Sequence, residues 1–339
     1  MSQTPLIQIE GLKKYYPVNK GLKDLFNQNK VFVKAIDGID LTIHKGEILG
    51  LAGESGSGKT TTGEILVRLQ DATDGTITID GHPLDVKNRA MQKSFRKEVQ
   101  MIFQDPYETL NPRFNVFDTI AEPLRIHGVK DKETLYEKVI EVLKIAELKP
   151  PEHFIYRYPH ELSGGQRQRV AIARGIVVDP KVLVADEPVS MLDVSIRADI
   201  LNLLKSLRKQ MGLTMLYVSH DLSTIKYLCD RIAIMYLGKI MEIGPVDEVV
   251  ANPQHPYTQV LLSAVPVADP DYVKERIIID DEAPDQINLP EGCRFTPRCP
   301  YAQEACKECD HHFTQVTDEH FHACIFRKDQ LRPRTEPVI

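Results

Sequence analysis

The sequence predicts an α/β protein organised on a parallel sheet, and three observations carry that expectation. Short apolar runs that fit buried strands, Ile48-Leu49-Gly50-Leu51-Ala52, Val182-Leu183-Val184-Ala185 and Leu213-Thr214-Met215-Leu216-Tyr217-Val218, are spaced along the chain among stretches of helical periodicity. A glycine-rich string, Gly53-Glu54-Ser55-Gly56-Ser57-Gly58-Lys59-Thr60, joins the first run to the helical stretch 61–69. Polar side chains then gather at the carboxyl ends of the later runs, Asp186-Glu187 and His220-Asp221, which is where a parallel sheet places its ligands.

Taken in order, alternating runs at 6–10, 31–36 and 39–43 predict a small antiparallel sheet ahead of the glycine string. Tyr15 and Tyr16 interrupt it, and the residues alone leave open whether one stacks on a nucleotide base or both cover the sheet edge. Segment 18–30 reads as a polar loop. In the string itself, glycines let successive backbone N–H groups turn toward one point, and the helix start adds uncompensated donors and the positive end of its dipole. Gly53, Glu54, Ser55, Gly56, Ser57 and Gly58 thus form a cradle for an anion. Lys59 reaches the outer phosphates of a nucleoside triphosphate, the Thr60 hydroxyl coordinates magnesium, and Thr61 continues the phosphate-facing turn.

Beyond that first helix, 75–81 is an alternating strand closed by a turn, and the run 99–104 is stopped by Asp105-Pro106. Gln104 at its end either meets the magnesium or its water, or is a polar terminus. Residues 107–123 carry prolines and no clear period, whereas 132–148 have apolar positions Leu135, Val139, Val142, Leu143 and Ile145 at helical spacing, so the middle of the chain reads as a helical insertion. It leads to Leu162-Ser163-Gly164-Gly165-Gln166 and a buried helix over 167–178, with Ser163 as N-cap. This is a second anion-type helix start without a lysine of its own; a plain capped helix is the alternative.

Asp186 suits the magnesium shell, and Glu187 suits the base that orients or deprotonates an attacking water. His220 is either structural or a contact of the γ-phosphate. Runs 232–237 and 239–243, joined through Gly238, read as a hairpin, and near residue 250 prolines and cysteines replace the periodic segments. A boundary therefore falls there, giving units 1–250 and 251–339 with the helical insertion at about 106–170.

Composition narrows the class. A net charge of −6 gives no basic footprint for nucleic acid, and 42% hydrophobic with 27% charged residues is ordinary for a soluble globular chain. No apolar run approaches the ~20 residues needed to span a bilayer, and MSQTPLIQIE lacks the blocks of a signal peptide, so a cytoplasmic chain is expected, with any spanning helices supplied by other subunits.

The ordered set GESGSGKT, Gln104, LSGGQ at 162–166, VLVADE at 182–187 and His220 resembles the ATP-binding subunits of ATP-binding cassette (ABC) transporters. Within them, FQDPYETLNPR at 103–113, RYPHELSGGQRQRVAIARG at 157–175, NPQHPYTQVLLSAVP at 252–266 and GCRFTPRCPYA at 292–302 resemble the subunits that drive dipeptide and oligopeptide importers. The resemblance implies a P-loop NTPase cassette: a RecA-like core, an antiparallel β subdomain and a helical subdomain, followed by a small irregular cysteine-containing extension. It implies ATP and Mg2+ as ligands, with Tyr16 rather than Tyr15 on adenine, and Thr60, Gln104 and Asp186 around magnesium. Glu187 then activates water, His220 holds the γ-phosphate, and Asp193 communicates across an interface. Ser163, Gly164, Gly165 and Gln166 close over ATP held by a second ABC ATPase subunit, a related but different chain. Two transmembrane permease subunits and an extracytoplasmic peptide-binding protein complete the complex, with the chain peripheral on the cytoplasmic face of the membrane. Met191 departs from the small residue usual beside Ser190, which is expected to alter packing rather than remove activity.

Five of the six cysteines lie beyond residue 290, and Cys293, Cys299, Cys306 and Cys324 follow the pattern C-x5-C-x6-C-x17-C. Four thiolates hold a [4Fe-4S] cluster or a zinc ion. The Cys306-x-x-Cys309 knuckle near several histidines leans toward zinc, four unligated thiols are a third reading, and the family resemblance implies the cluster with Cys309 spare. A soluble ABC ATPase working on nucleic acid or translation is the rival to the transporter reading. It usually carries two cassettes, a coiled-coil insertion or a basic surface, and none appears in the sequence.

Overall fold

The computed structural model describes residues 4–18, 31–84, 89–265, 276–279, 284 and 286–333. The polar loop expected over 18–30 lies, apart from Val18, outside the described residues. Two sheets organise the chain. The first is antiparallel, ordered β2-β1-β4-β5, from β1 (Pro5–Pro17), β2 (Phe32–His44), β4 (Asp74–Ile79) and β5 (His82–Pro83). The second, of eight strands, runs β11-β12-β10-β9-β3-β8-β7-β6. Its parallel part comprises β3 (Ile48–Ala52), β6 (Val99–Ile102), β7 (Val182–Asp186), β8 (Thr214–Ser219) and β9 (Arg231–Tyr236). Strand β10 (Lys239–Pro245) turns back antiparallel to β9.

The period of two in these strands decides where each side chain goes. Leu49, Leu51, Val182, Val184, Leu216 and Val218 bury into a core shared with the antiparallel sheet. Their neighbours Ile48, Ala52, Leu183, Ala185 and Tyr217 enter a second, larger core under the helices. Because both faces are covered, the strands read as unbroken apolar runs rather than as alternation. Helix α1 (Lys59–Leu66) follows β3 directly. Helix α2 (Arg89–Glu98) leads into β6.

The helical region contains α3 (Pro106–Thr109), α4 (Val116–Ile126) and α5 (Lys132–Ile145), which pack with α6 (Gly164–Ile176). Helix α4 lies in the stretch that showed no clear period. Asn115 caps it by accepting from Asp118 N–H at 2.8 Å, Val116, Ile120, Ala121 and Leu124 form its buried side, and Pro123 sits inside it. The tertiary contacts of that apolar side outweigh the proline, which is why the local pattern did not betray the helix. Helices α7 (Val194–Met211) and α8 (Leu222–Leu228) connect the later strands.

Residues beyond 250 share the same core. After α9 (Val246–Ala251), helix α10 (Pro256–Ser263) buries Tyr257, Val260 and Leu262 in the larger cluster, joined there by Phe295 and Cys299. Short strands β11 (Thr314–Gln315) and β12 (Phe321–His322) extend the eight-stranded sheet, β12 pairing with β10 at Glu242 and Ile243.

Candidate functional site

The carboxyl ends of β3, β6, β7 and β8 open onto one cavity of about 710 Å3, lined by Tyr16, Val33, Ala35, Ser55, Gly56, Gly58, Lys59, Thr60, Thr61, Gln104, Glu187, His220 and Gln286. The loop between β3 and α1 forms its floor. Gly53 (φ +149°) and Gly58 (φ +103°) explain why that loop needs glycine: a Cβ would fall 2.1 Å from the Met235 carbonyl oxygen at Gly53 and 2.3 Å from the Ala35 carbonyl oxygen at Gly58. Gly58 is the N-cap of α1, and no side chain caps that helix.

Lys59 is buried with its ammonium turned back into the loop, donating to the Gly53 carbonyl at 2.8 Å, the Glu54 carbonyl at 2.7 Å and the Ser57 hydroxyl at 3.3 Å. Burial lowers its pKa, and the carboxylates of Glu187, Asp186 and Glu54 act in the opposite direction. The Thr60 hydroxyl donates to Asp186 Oδ1 at 3.2 Å. Burial, with the nearby charges of Glu187 and Glu64, raises the Asp186 pKa to about 6 against the Thr60 hydrogen bond.

Glu187 is the hub of the opposite wall. Its Oε2 accepts from Gln104 Nε2 at 3.1 Å and its Oε1 lies 2.9 Å from His220 Nδ1. Its backbone adopts the left-handed region at φ +43°, uncommon for a residue with a side chain, fixed by its N–H donating to the Val218 carbonyl at 2.9 Å. The end of β7 therefore turns sharply and aims Glu187 into the cavity while Asp186 stays beneath the loop. His220 is 61% exposed and Gln104 exposed, so both face the open side.

The two tyrosines separate. The Tyr15 hydroxyl bonds Asp37, away from the cavity, while Tyr16 lines it, its hydroxyl bonded to Gln70 and its ring 5.0 Å from the Lys14 ammonium. Ser163 to Gln166 do not line this cavity. Ser163 accepts from Gln166 N–H at 3.3 Å while the Gln166 side chain accepts from Ser163 N–H at 3.0 Å, a reciprocal capping box. Gly164 and Gly165 pack against Leu192 and Ile196 near the start of α7. Asp193 is the exposed N-cap residue of α7 without a side-chain cap bond, and Met191 is 60% exposed.

Cys293, Cys299, Cys306, Cys309 and Cys324 line a separate small cavity of about 20 Å3. All are free thiols. Burial raises Cys293 to about 11 and Cys299 and Cys324 to about 12. Among the described residues no group of three or more His, Cys, Asp or Glu side chains is close enough to hold a metal ion. Gln286, Tyr257 and Arg298 were not singled out from the sequence, yet all three contact the glycine loop.

The eight-stranded sheet and the loop geometry match known cassettes. A dimeric post-hydrolysis ATP-binding cassette, MJ0796, bound to ADP and Pi is similar with a TM-score of 0.62 and 28% identity, over 71% of this chain and 99% of that one. The cbiO1 subunit of Clostridium perfringens, part of the ABC transporter complex cbiONQ, has a TM-score of 0.62 and 27% identity, over 73% and 91%. Residues 36–190 match the ABC transporter family model, and 241–306 match the oligopeptide/dipeptide transporter C-terminal region. Fold and family thus define an ABC-type ATPase. The oligopeptide transport ATP-binding protein AppF of Bacillus subtilis is 44% identical over 95% of this chain and 98% of its own length. The dipeptide transport ATP-binding protein DppF of Haemophilus influenzae is 44% identical over 95% and 97%. The chain belongs to this family of ABC peptide-transport ATP-binding subunits. No helix among the described residues is long and apolar enough to cross a membrane.

Proposed function

We propose that the chain hydrolyses ATP to drive import of dipeptides or oligopeptides through a membrane permease. The observation that carries the mechanism is the convergence on one cavity of a phosphate-type loop with Lys59 and Thr60, the Thr60–Asp186 pair, and Glu187 held between Gln104 and His220. Lys59 leaves its loop carbonyls for the outer phosphates, with Gly53 to Gly58 and Thr61 supplying the cradle and Tyr16 the adenine platform. Thr60, Asp186 and Gln104 would hold magnesium, which would supply charge neutralisation at the phosphates. Glu187 orients and deprotonates the attacking water, and His220 fixes Glu187 and touches the γ-phosphate.

One chain holds only half of the site. Ser163 to Gln166 belong over the ATP of a second, related ATPase subunit, with Asp193 at the same interface. The pair is peripheral on the cytoplasmic face of the membrane, held by two permease subunits that receive substrate from an extracytoplasmic peptide-binding protein. Glu187→Gln is expected to keep ATP binding and lower steady-state turnover by roughly 10²- to 10⁴-fold. Parental turnover in that variant would remove Glu187 from the role.

The same family reading assigns Cys293, Cys299, Cys306 and Cys324 a [4Fe-4S] cluster, with Cys309 spare. Five thiols around one cavity supply the donor set. The family resemblance favours a cluster over zinc, while the Cys306-x-x-Cys309 knuckle alone leans to zinc. Cluster assembly also has to displace protons from thiols whose pKa burial has raised. Anaerobic purification followed by visible absorption and iron, sulfide and zinc analysis should find about four irons per chain; zinc alone, or no metal, would overturn this assignment.

A further inference from the structure

A phosphate-binding loop that carries a carboxylate has a problem, because Glu54 lies beside the site for a triphosphate and an unpaired negative charge there repels it. In this chain three groups occupy the three polar handles of Glu54. Its backbone N–H donates to the Tyr257 hydroxyl at 3.0 Å, its carbonyl accepts from Lys59 Nζ at 2.7 Å, and its carboxylate takes a two-pronged contact from Arg298, at 2.8 Å and 3.3 Å. Two of these three come from the C-terminal extension, 203 and 244 residues away in sequence.

The extension grips from a rigid base. Arg298 closes a short 3₁₀ turn, Thr296–Arg298, immediately before Cys299, and only 6% of its side chain is exposed. It also donates to the Tyr236 hydroxyl at 3.2 Å, at the end of β9. Burial works against its charge, but the hydrogen bonds it donates to Glu54 and Tyr236 raise its pKa above the ordinary value. Behind it Tyr236, Tyr257 and Phe295 pack ring against ring at centroid distances of 4.6, 5.4 and 5.3 Å. Such packing leaves Arg298 and the Tyr257 hydroxyl little freedom to follow Glu54 if it moved.

We propose that Arg298 and Tyr257 are positioning residues for ATP binding: they hold Glu54 in place and neutralise its carboxylate so that the loop keeps its shape when Lys59 swings to the phosphates. This rests on the ATPase reading above. The order of events explains the need. In the nucleotide-free loop Lys59 itself ties down the Glu54 carbonyl, and that tie is lost when the ammonium turns to ATP. Arg298 and Tyr257 are then the holds that remain, and a loop already ordered binds without the cost of ordering it.

The test is ATP binding by the full-length protein, and steady-state hydrolysis by the same protein assembled with its partner ATPase and permease subunits, carrying Arg298→Ala, Arg298→Lys, Glu54→Gln, or Arg298→Ala with Glu54→Gln. Arg298→Ala should raise the KM for ATP about tenfold (~1.4 kcal/mol) with kcat within about twofold. Arg298→Lys, which keeps the charge but not the two-pronged fit, should fall between Ala and the parent. The decisive readout is rescue: adding Glu54→Gln to Arg298→Ala should recover most of the lost affinity, since the unpaired carboxylate is then gone. Parental KM in Arg298→Ala overturns the proposal, and so does an equally weak double variant, because a residue that merely supports the extension is not rescued at Glu54. Should Arg298→Ala not fold, the Lys variant decides, with a parental KM again counting against. Failure of the parent protein itself to bind ATP would instead overturn the ATPase reading.

Discussion

Two helices in this chain begin on glycine-bearing turns, and they are built for opposite situations. Helix α1 starts at Gly58 in the left-handed region with no side-chain cap and a lysine folded under it. Helix α6 starts at Ser163 with two of its donors, the Ser163 and Gln166 N–H groups, taken up by the capping box. The first is an anion site that a glycine cradle keeps uncapped; the second is capped by its own side chains and does not line the cavity. The difference teaches that a helix start in sequence does not announce an anion site: the cap geometry and what stands opposite it decide. If α6 engages a partner's nucleotide, the Ser163 hydroxyl can donate its proton to it while still accepting from Gln166 N–H.

This contrast can be broken at either end. Lys59→Ala should weaken ATP binding by the isolated chain about 10- to 100-fold, the range for losing a charged hydrogen-bonding partner. Ser163→Ala should leave that binding unchanged, lower turnover of the assembled transporter about tenfold, and cost ~1 kcal/mol of stability from the lost cap. Equal loss of ATP binding in both variants would erase the distinction between the two helix starts.

A smaller effect sharpens the comparison, because among the described residues it is the first helix start that is tied to the extension. His255 caps α10 by accepting from Tyr257 N–H at 3.0 Å, one residue before the helix that carries the Tyr257 hydroxyl to Glu54. Burial, and then the neighbouring His322 and His311, push the His255 pKa down to about 3, while its backbone N–H donates to the buried Glu242 carboxylate at 2.8 Å. The folded pKa lies below the unfolded value of ~6.5, so the unfolded chain takes up the proton first. Stability is therefore present above pH ~6.5 and lost as pH falls toward 3, by about 2 kcal/mol at pH 5 from this histidine alone. His255→Asn, which retains an acceptor, should show a smaller drop in urea midpoint between pH 7 and pH 5; a parallel drop would remove His255 from the acid response.

Much of this was legible. The buried strands of the parallel sheet announced themselves because both their faces are covered, which forces continuous apolar runs at 48–52, 182–185 and 213–218. The glycine loop was equally plain, since close approach of Met235 and Ala35 leaves only glycine at two of its positions. Helix α4 was not, because Pro123 disguises a helix whose stability comes from burial of Ile120, Ala121 and Leu124. The left-handed turn at Glu187 carries no glycine to mark it.

By itself the sequence determined the strand cores, the order of the chemical groups along the chain and the family, because periodicity, glycine and charge are local properties that survive in one dimension. Only the tertiary structure decided that Gln104 and His220 meet at Glu187, that the Tyr15 hydroxyl turns to Asp37, and that Arg298 reaches across 244 residues to the phosphate loop. The physical reason is one of range. A pairing between groups so distant in sequence is made by the packing of whole sheets and helices, and no window of neighbouring residues carries a trace of it.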